Sequence, residues 1–246
     1  RYMHTWRLVA VQSVALLLGV VLYLVISQID LNDLCKYWKW IFLVGVIFIL
    51  LLVTPRGIAD NTGNRAWLDF PFLPVKVQPA EIVKLTLTLV LAKQLVWLKE
   101  NRDLSSIPSI LFLAAHLGVI FVLYYKVSSD MGSALVFLFI FACMCFVGGV
   151  ALRWFLLGGL VGGLAFWALW DLNKIPSYMK LRFQVLFDHS LDPQDSGWQQ
   201  TRSLMALGSG KLTGQGLFHG TQTQSEYSSA LPNRHTDFIF TVIGEE

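Results

Sequence analysis

In a chain this apolar, ionisable residues are few, and four groups of them have the types and spacing to do chemistry. They are Arg65 with Trp67; Gln78 with Glu81 and Lys84; Asp130 ahead of Gly132; and Arg234-His235-Thr236-Asp237. Together they offer carboxylates that accept a proton, cations that meet an anion, and an aromatic ring that packs against a ligand. Ionisable groups at membrane depth are costly and tend to line cavities or substrate paths, which singles out Glu81, Lys84 and Asp237. Asp237 directly precedes Phe238-Ile239-Phe240. Apolar neighbours strip water from a carboxylate and strengthen it as a base, the property a proton acceptor needs. Each group also has a plainer reading. Glu81 and Lys84, three apart on one helical face, would neutralise each other. Asp130 stands where a helix N-cap is expected. Trp67 would serve as an interfacial anchor, and His235 as a solvated loop residue.

The elements that must position these groups follow from composition. Of 246 residues, 55% are hydrophobic and 14% charged, with a mean hydropathy of +0.58; a soluble domain has a very different balance. The net charge of +3 is spread between apolar runs, so nothing points to nucleic acid, while a phosphate-bearing ligand stays open. Cys35, Cys143 and Cys145 form neither a disulfide framework nor a zinc motif. The chain starts at Arg1 and stops at Gly244-Glu245-Glu246, just as an apolar segment begins, so it reads as an internal piece of a longer protein.

The expected fold is all-α: a polytopic transmembrane helix bundle, one domain over 1–246. A run of about 20 apolar residues crosses the hydrocarbon core as a helix. Spans are predicted near 8–26, 37–54, 79–98, 107–125, 131–152 and 154–170, with the start of a seventh at 238–246. Lys36, Tyr37, Trp38, Lys39 and Trp40 have the aromatic and basic character of a membrane interface. Gly158, Gly159, Gly162 and Gly163 would let a neighbouring helix approach closely. The segment 171–237 is too long for an ordinary connection, and within it Tyr178 to Phe187 has the spacing of a helix lying on the membrane surface. Basic residues do not decide sidedness: Lys36, Lys39, Lys93, Lys99, Arg102 and Arg153 face one side, and Arg1, Arg7, Arg56, Arg65, Lys76 and Lys126 the other. If the helices alternate, all four polar groups fall on one side.

The segments Asn64-Arg65-Ala66-Trp67, Gln78-Pro79-Ala80-Glu81 with Lys84, and Ser129-Asp130-Met131-Gly132-Ser133-Ala134-Leu135 resemble the SEDS family (shape, elongation, division and sporulation) in order and spacing. So, most specifically, does the stretch from Gly208-Ser209-Gly210 through Gly214-Gln215-Gly216 to Leu231-Pro232-Asn233-Arg234-His235-Thr236-Asp237-Phe238-Ile239-Phe240. Gly220-Thr221-Gln222-Thr223-Gln224 looks more like the RodA branch than the FtsW or SpoVE branches. Ser129 replaces a usual proline, Met131 a usual leucine, and the link from Trp67 to Gln78 is slightly long, which bears most on Trp67.

The resemblance implies about ten spans, of which the first and last three are absent here, and an extracytoplasmic position for 171–237. It implies a multi-pass protein of the bacterial cytoplasmic membrane that joins a glycan carried on undecaprenyl pyrophosphate to lipid II. By the same resemblance Asp237 is the general base. Arg65 and Lys84, with either Arg182 or Arg234, meet phosphate oxygens, Trp67 shapes the sugar site, and Gln78, Glu81, Asp130, His235 and Thr236 complete the substrate site. It implies a divalent cation, Mg²⁺ or Mn²⁺, with no metal ligand assigned and no organic cofactor, and a class B penicillin-binding protein as partner. Two other readings fit intramembrane charges and a lipid ligand: a transporter that flips lipid II, and a scaffold that recruits the transpeptidase. Glycan synthesis separates the first from the enzyme; loss of shape on Asp237→Ala with the complex intact separates the second.

Overall fold

Charge-free apolar runs become helices because lipid leaves every backbone polar group to be satisfied within its own segment. The computed structural model describes residues 2–59, 64–71, 76–175, 177–185, 187–188, 196–225, 230–231, 234 and 237–246. In chain order the elements are α1 (Tyr2–Ile26), α2 (Leu31–Lys36), α3 (Trp38–Leu51), β1 (Gly57–Ala59), β2 (Arg65–Leu68), α4 (Pro79–Asn101), α5 (Ile107–Ser128), α6 (Met131–Gly148), α7 (Leu152–Asp171), α8 (Ser177–Val185), α9 (Ser196–Gly210) and α10 (Ile239–Glu245).

Every apolar run read from the sequence carries a helix. Four contain a stretch long and apolar enough to cross a membrane: Val9–Ile26, Ile107–Ser128, Met131–Gly148 and Leu152–Asp171. The helix α3 is shorter, at 14 residues. The helix α4 has 23 residues but carries Glu81, Lys84, Lys93, Lys99 and Glu100. Its start is set by Pro79 in the first turn, where a missing N–H costs nothing. The end of α6 falls at Gly148 instead of residue 152 because Gly149 takes φ +96° and stops the helix.

The chain divides into two compact units, Arg1–Gly159 and Leu160–Glu246. In the first, Ile49, Leu52, Leu68, Ala80, Val83, Leu87, Leu117, Ile120, Tyr124, Ala134 and Phe137 form one buried cluster. A second cluster of Leu91, Leu95, Leu98, Leu104, Leu113, Cys145 and Val150 fills the other end of the same helices. Lipid is as apolar as leucine, so helices associate in it through close packing at small residues. The close approaches fall at Gly45, where an added Cβ would lie 2.5 Å from Thr86 Oγ1, and at Gly148 against Leu95. The glycines of α7, expected to pack this way, have no described atom within 4 Å of an added Cβ. At the end bearing the second cluster, the turn between α4 and α5 is tied to the start of α7: Ser105 accepts from Trp154 Nε1 at 2.9 Å through its carbonyl, and its Oγ takes the Ala151 N–H at 2.9 Å.

The segment 171–237, expected to be a long loop with one helix near Tyr178 to Phe187, carries two helices, α8 and α9. The helix α8 lies over the last turns of α7, where Phe166, Trp170 and Phe183 form an aromatic cluster. Lys180 donates to the Trp170 carbonyl at 2.9 Å and to Asn173 Oδ1 at 2.6 Å. A helix therefore stands where the periodicity placed one, beginning one residue earlier and ending two residues sooner.

Candidate active site

Arg65 and Trp67 sit on β2, which pairs antiparallel with β1 through Gly57↔Leu68, Ile58↔Trp67 and Ala59↔Arg65. Successive strand side chains point to opposite faces. Ala66 and Leu68 are buried, so Arg65 and Trp67 share the exposed face, with Trp67 38% exposed. The hairpin is held tight against α3: an added Cβ on Gly57 would lie 2.1 Å from the Leu52 carbonyl oxygen.

A second bridge joins this hairpin to α4. The Leu68 N–H donates to the Val77 carbonyl at 2.7 Å, and Val77 N–H returns the bond at 2.9 Å. Gln78 follows at once as the N-cap of α4, its backbone extended and its side chain taking no cap bond. One turn on, Lys84 Nζ lies 2.7 Å from Glu81 Oε2 and 2.8 Å from Oε1. Their side chains are 30% and 61% exposed respectively, so solvent screens the pair.

Asp130 caps α6. Its Oδ1 accepts the Ser133 N–H at 3.2 Å, while Oδ2 accepts the Ser133 hydroxyl at 2.6 Å and the Tyr124 hydroxyl at 3.2 Å. The plain reading of Asp130 as a cap is thus what the geometry displays. Tyr124 is fully buried and meets Phe137 edge-on at 5.2 Å, which fixes the carboxylate from beneath. Neither Tyr124 nor Ser133 was named as a site residue, because both are neutral hydroxyl residues whose link to Asp130 appears only once the turn is folded.

Three of the four polar groups therefore stand at one end of the first unit. Leu68 beside Trp67, Ala80 and Val83 beside Glu81 and Lys84, and Tyr124 and Ala134 flanking Asp130 all belong to the same buried cluster. Arg56, Lys76 and Lys126 are exposed at this end as well, and the Arg56 guanidinium stacks on Phe70 at 5.8 Å. Such an end can receive an anionic head group while apolar helix faces run alongside.

The fourth group belongs to the second unit. Asp237 is exposed, two residues before α10, so its own unit does not supply the apolar burial expected for it. Arg234 is half-buried and donates through Nη1 to the Thr223 carbonyl. His235 and Thr236 lie outside the described residues, as does the Arg182 side chain.

The sequence reading missed Glu245 and Glu246. Glu245 is fully buried and accepts from the Gln222 and Thr223 N–H groups, both at 2.8 Å, and from the hydroxyls of Thr221 and Ser209 at 3.0 and 3.1 Å. Their mark in the sequence is a pair of adjacent acids following the apolar run Phe238 to Ile243. No three His, Cys, Asp or Glu side chains converge among the described residues. They therefore provide no resident cage for a divalent cation.

The helical bundle, with several apolar helices of membrane-crossing length, defines the chain as a multi-pass membrane protein. The FtsW/RodA/SpoVE family model, described as cell cycle protein, matches residues 1–246, and the chain belongs to that family. Peptidoglycan glycosyltransferase MrdB of Escherichia coli is 34% identical over 233 residues, covering 93% of this chain and 59% of the relative. The probable peptidoglycan glycosyltransferase FtsW of Tolumonas auensis is 35% identical over 216 residues, covering 86% and 52%. This chain thus spans between half and two thirds of those relatives. Among solved structures, a peptidoglycan synthase complex described as coordinating polymerization and crosslinking matches with a TM-score of 0.71 at 28% identity, covering 96% of this chain and 61% of the other. The rod shape determining protein RodA of Thermus thermophilus matches with a TM-score of 0.51 at 30% identity, covering 63% and 48%.

Proposed function

We propose that this chain forms part of a peptidoglycan glycosyltransferase that polymerises lipid II at the outer face of the bacterial cytoplasmic membrane. The observation that carries the reading is the gathering of Arg65, Trp67, Gln78, Glu81, Lys84 and Asp130 over one core at one end of a membrane bundle. Relatives named as peptidoglycan glycosyltransferases over most of this chain support it. The elongation branch, represented by MrdB, is the assignment favoured by residues 220–224.

The reaction moves a bond from the pyrophosphate oxygen of the growing glycan to the 4-hydroxyl of the incoming sugar. Asp237 takes the hydroxyl proton. Arg65 and Lys84 stabilise the negative charge that develops on the departing pyrophosphate, as cations positioned at a leaving group do. Arg234 spends one N–H on Thr223 and offers the rest of its fork to phosphate. Trp67, on the exposed strand face beside Arg65, packs against a sugar ring. A divalent cation, expected from the resemblance, would find hard oxygen donors in the Asp237 carboxylate and in phosphate, and would supply further charge neutralisation at the leaving group. The partner is a class B penicillin-binding protein that crosslinks the product.

The test is glycan synthesis by the purified full-length protein given lipid II. Polymer from the wild type and none from Asp237→Ala is the expected result. Lipid II that crosses a vesicle membrane without being polymerised would instead identify a transporter.

A further inference from the structure

Glu245 has no task in the reaction just described, yet it is the most completely satisfied acid among the described residues. It is fully buried, and its carboxylate is met by two backbone N–H groups and two hydroxyls with no cation in the set. A buried carboxylate on neutral donors costs free energy to desolvate, and the contacts it organises suggest its use.

Those contacts fold residues 209–224 around the end of α10. The Gln215 N–H donates to the Glu245 carbonyl at 2.8 Å, and Gly216 N–H to the Glu246 carbonyl at 2.9 Å. The Glu246 carboxylate takes the Phe218 N–H at 2.8 Å and the Thr223 hydroxyl at 3.1 Å. Two glycines leave no room for alternatives. An added Cβ on Gly210 would lie 1.9 Å from the Gly244 carbonyl oxygen, and one on Gly220 would lie 2.1 Å from Thr223 Oγ1 and 3.0 Å from Glu245 Oε2.

The Thr223 peptide is the link to the site. Its N–H is held by Glu245, while its carbonyl accepts from Arg234. Arg234 lies three residues before Asp237, and α10, which begins two residues after Asp237, carries Glu245 back to the start. Asp237 thus stands in the chain between two anchored points, Arg234 bonded to Thr223 and the start of α10. Anchors on either side of a base limit how far it can stray from the proton it must take.

We propose that Glu245 is a positioning residue: it fixes the 220–224 turn and, through Thr223 and Arg234, sets the place of Asp237. The proposal rests on the glycosyl-transfer reading, and the experiment keeps the two separable. Full-length protein is prepared as wild type, Glu245→Gln, Glu245→Asp and Gly220→Ala. Each is measured for glycan synthesis from lipid II and for amide hydrogen exchange. Glu245→Gln turns an amide N–H₂ toward the Gln222 or the Thr223 backbone N–H, neither of which can accept. Its kcat is expected to fall at least about thirtyfold with KM within about threefold, the pattern of a lost transition-state arrangement. Exchange over 220–224 and 234–237 should quicken at least about tenfold, with α4 and α5 unchanged. Glu245→Asp should recover part of both effects, and Gly220→Ala should reproduce the exchange result by displacing the Thr223 hydroxyl. Wild-type kcat in Glu245→Gln, or protection lost evenly over the whole molecule, overturns the proposal. If wild-type protein makes no glycan, the reaction reading fails; the exchange pattern still decides whether Glu245 holds the segment of Asp237.

Discussion

Two of the carboxylates at the polar end of the first unit, Glu81 and Asp130, are used differently. Glu81 is more than half exposed and bonds only to Lys84, one turn along the same helix. Such pairs contribute less than about 0.5 kcal/mol, so their presence is poorly explained by stability. Lys84→Gln should therefore unfold at nearly the wild-type temperature while glycan synthesis drops by at least about tenfold, the cost of one lost charge contact to a leaving group. Equal losses of both would return the pair to a structural role. Asp130 has both oxygens occupied by Ser133 and Tyr124. Removing a cap of this kind costs about 1–2 kcal/mol, so Asp130→Ala should lower the thermal midpoint measurably. Asp130→Asn, which keeps one cap oxygen, should lower it less. An unchanged midpoint in both would mean the cap is not holding α6.

At the scale of elements, the hairpin β1–β2 is what turns a loop into a platform for Arg65 and Trp67. Its closeness to α3 depends on Gly57, where any side chain meets the Leu52 carbonyl. Overpacking of this sort costs about 1–3 kcal/mol. Gly57→Ala should open the hairpin, read as faster amide exchange at Leu68 and Val77 and a loss of activity like that of Trp67→Ala. Protected amides with activity intact would show that the platform tolerates the shift. The hairpin was not legible in the sequence, because strands of three and four residues are too short to display alternation. The helices were legible, since a charge-free run in lipid has few other solutions. The helix α9 was hidden by its own composition: Ser and Gly lower propensity, and its stability comes from packing on α10, where Ser203 and Thr241 share a hydrogen bond at 2.5 Å. Of the candidate site, residue type and spacing singled out Arg65, Trp67, Glu81 and Lys84. The contacts of Glu245 were not legible, because its hydrogen-bond partners lie 22 to 36 residues away along the chain.

For the whole molecule, the question that charge counting left open is which end faces out. The structure gives the two ends of the first unit distinct residues: β2, the start of α4 and the turn at Asp130 at one, the turns between α4 and α5 and between α6 and α7 at the other. A polymerase for a substrate outside the cytosol needs the first of these ends outside, and helices cannot invert once their charged ends are seated at opposite interfaces. Lys126 and Glu100 are exposed at these opposite ends. With Cys35, Cys143 and Cys145 replaced, a membrane-impermeant thiol reagent added to intact cells should label the Lys126→Cys variant. The Glu100→Cys variant should react only after the membrane is permeabilised. The reverse pattern would put Arg65, Lys84 and Asp130 in the cytosol, where no extracytoplasmic glycan could reach them.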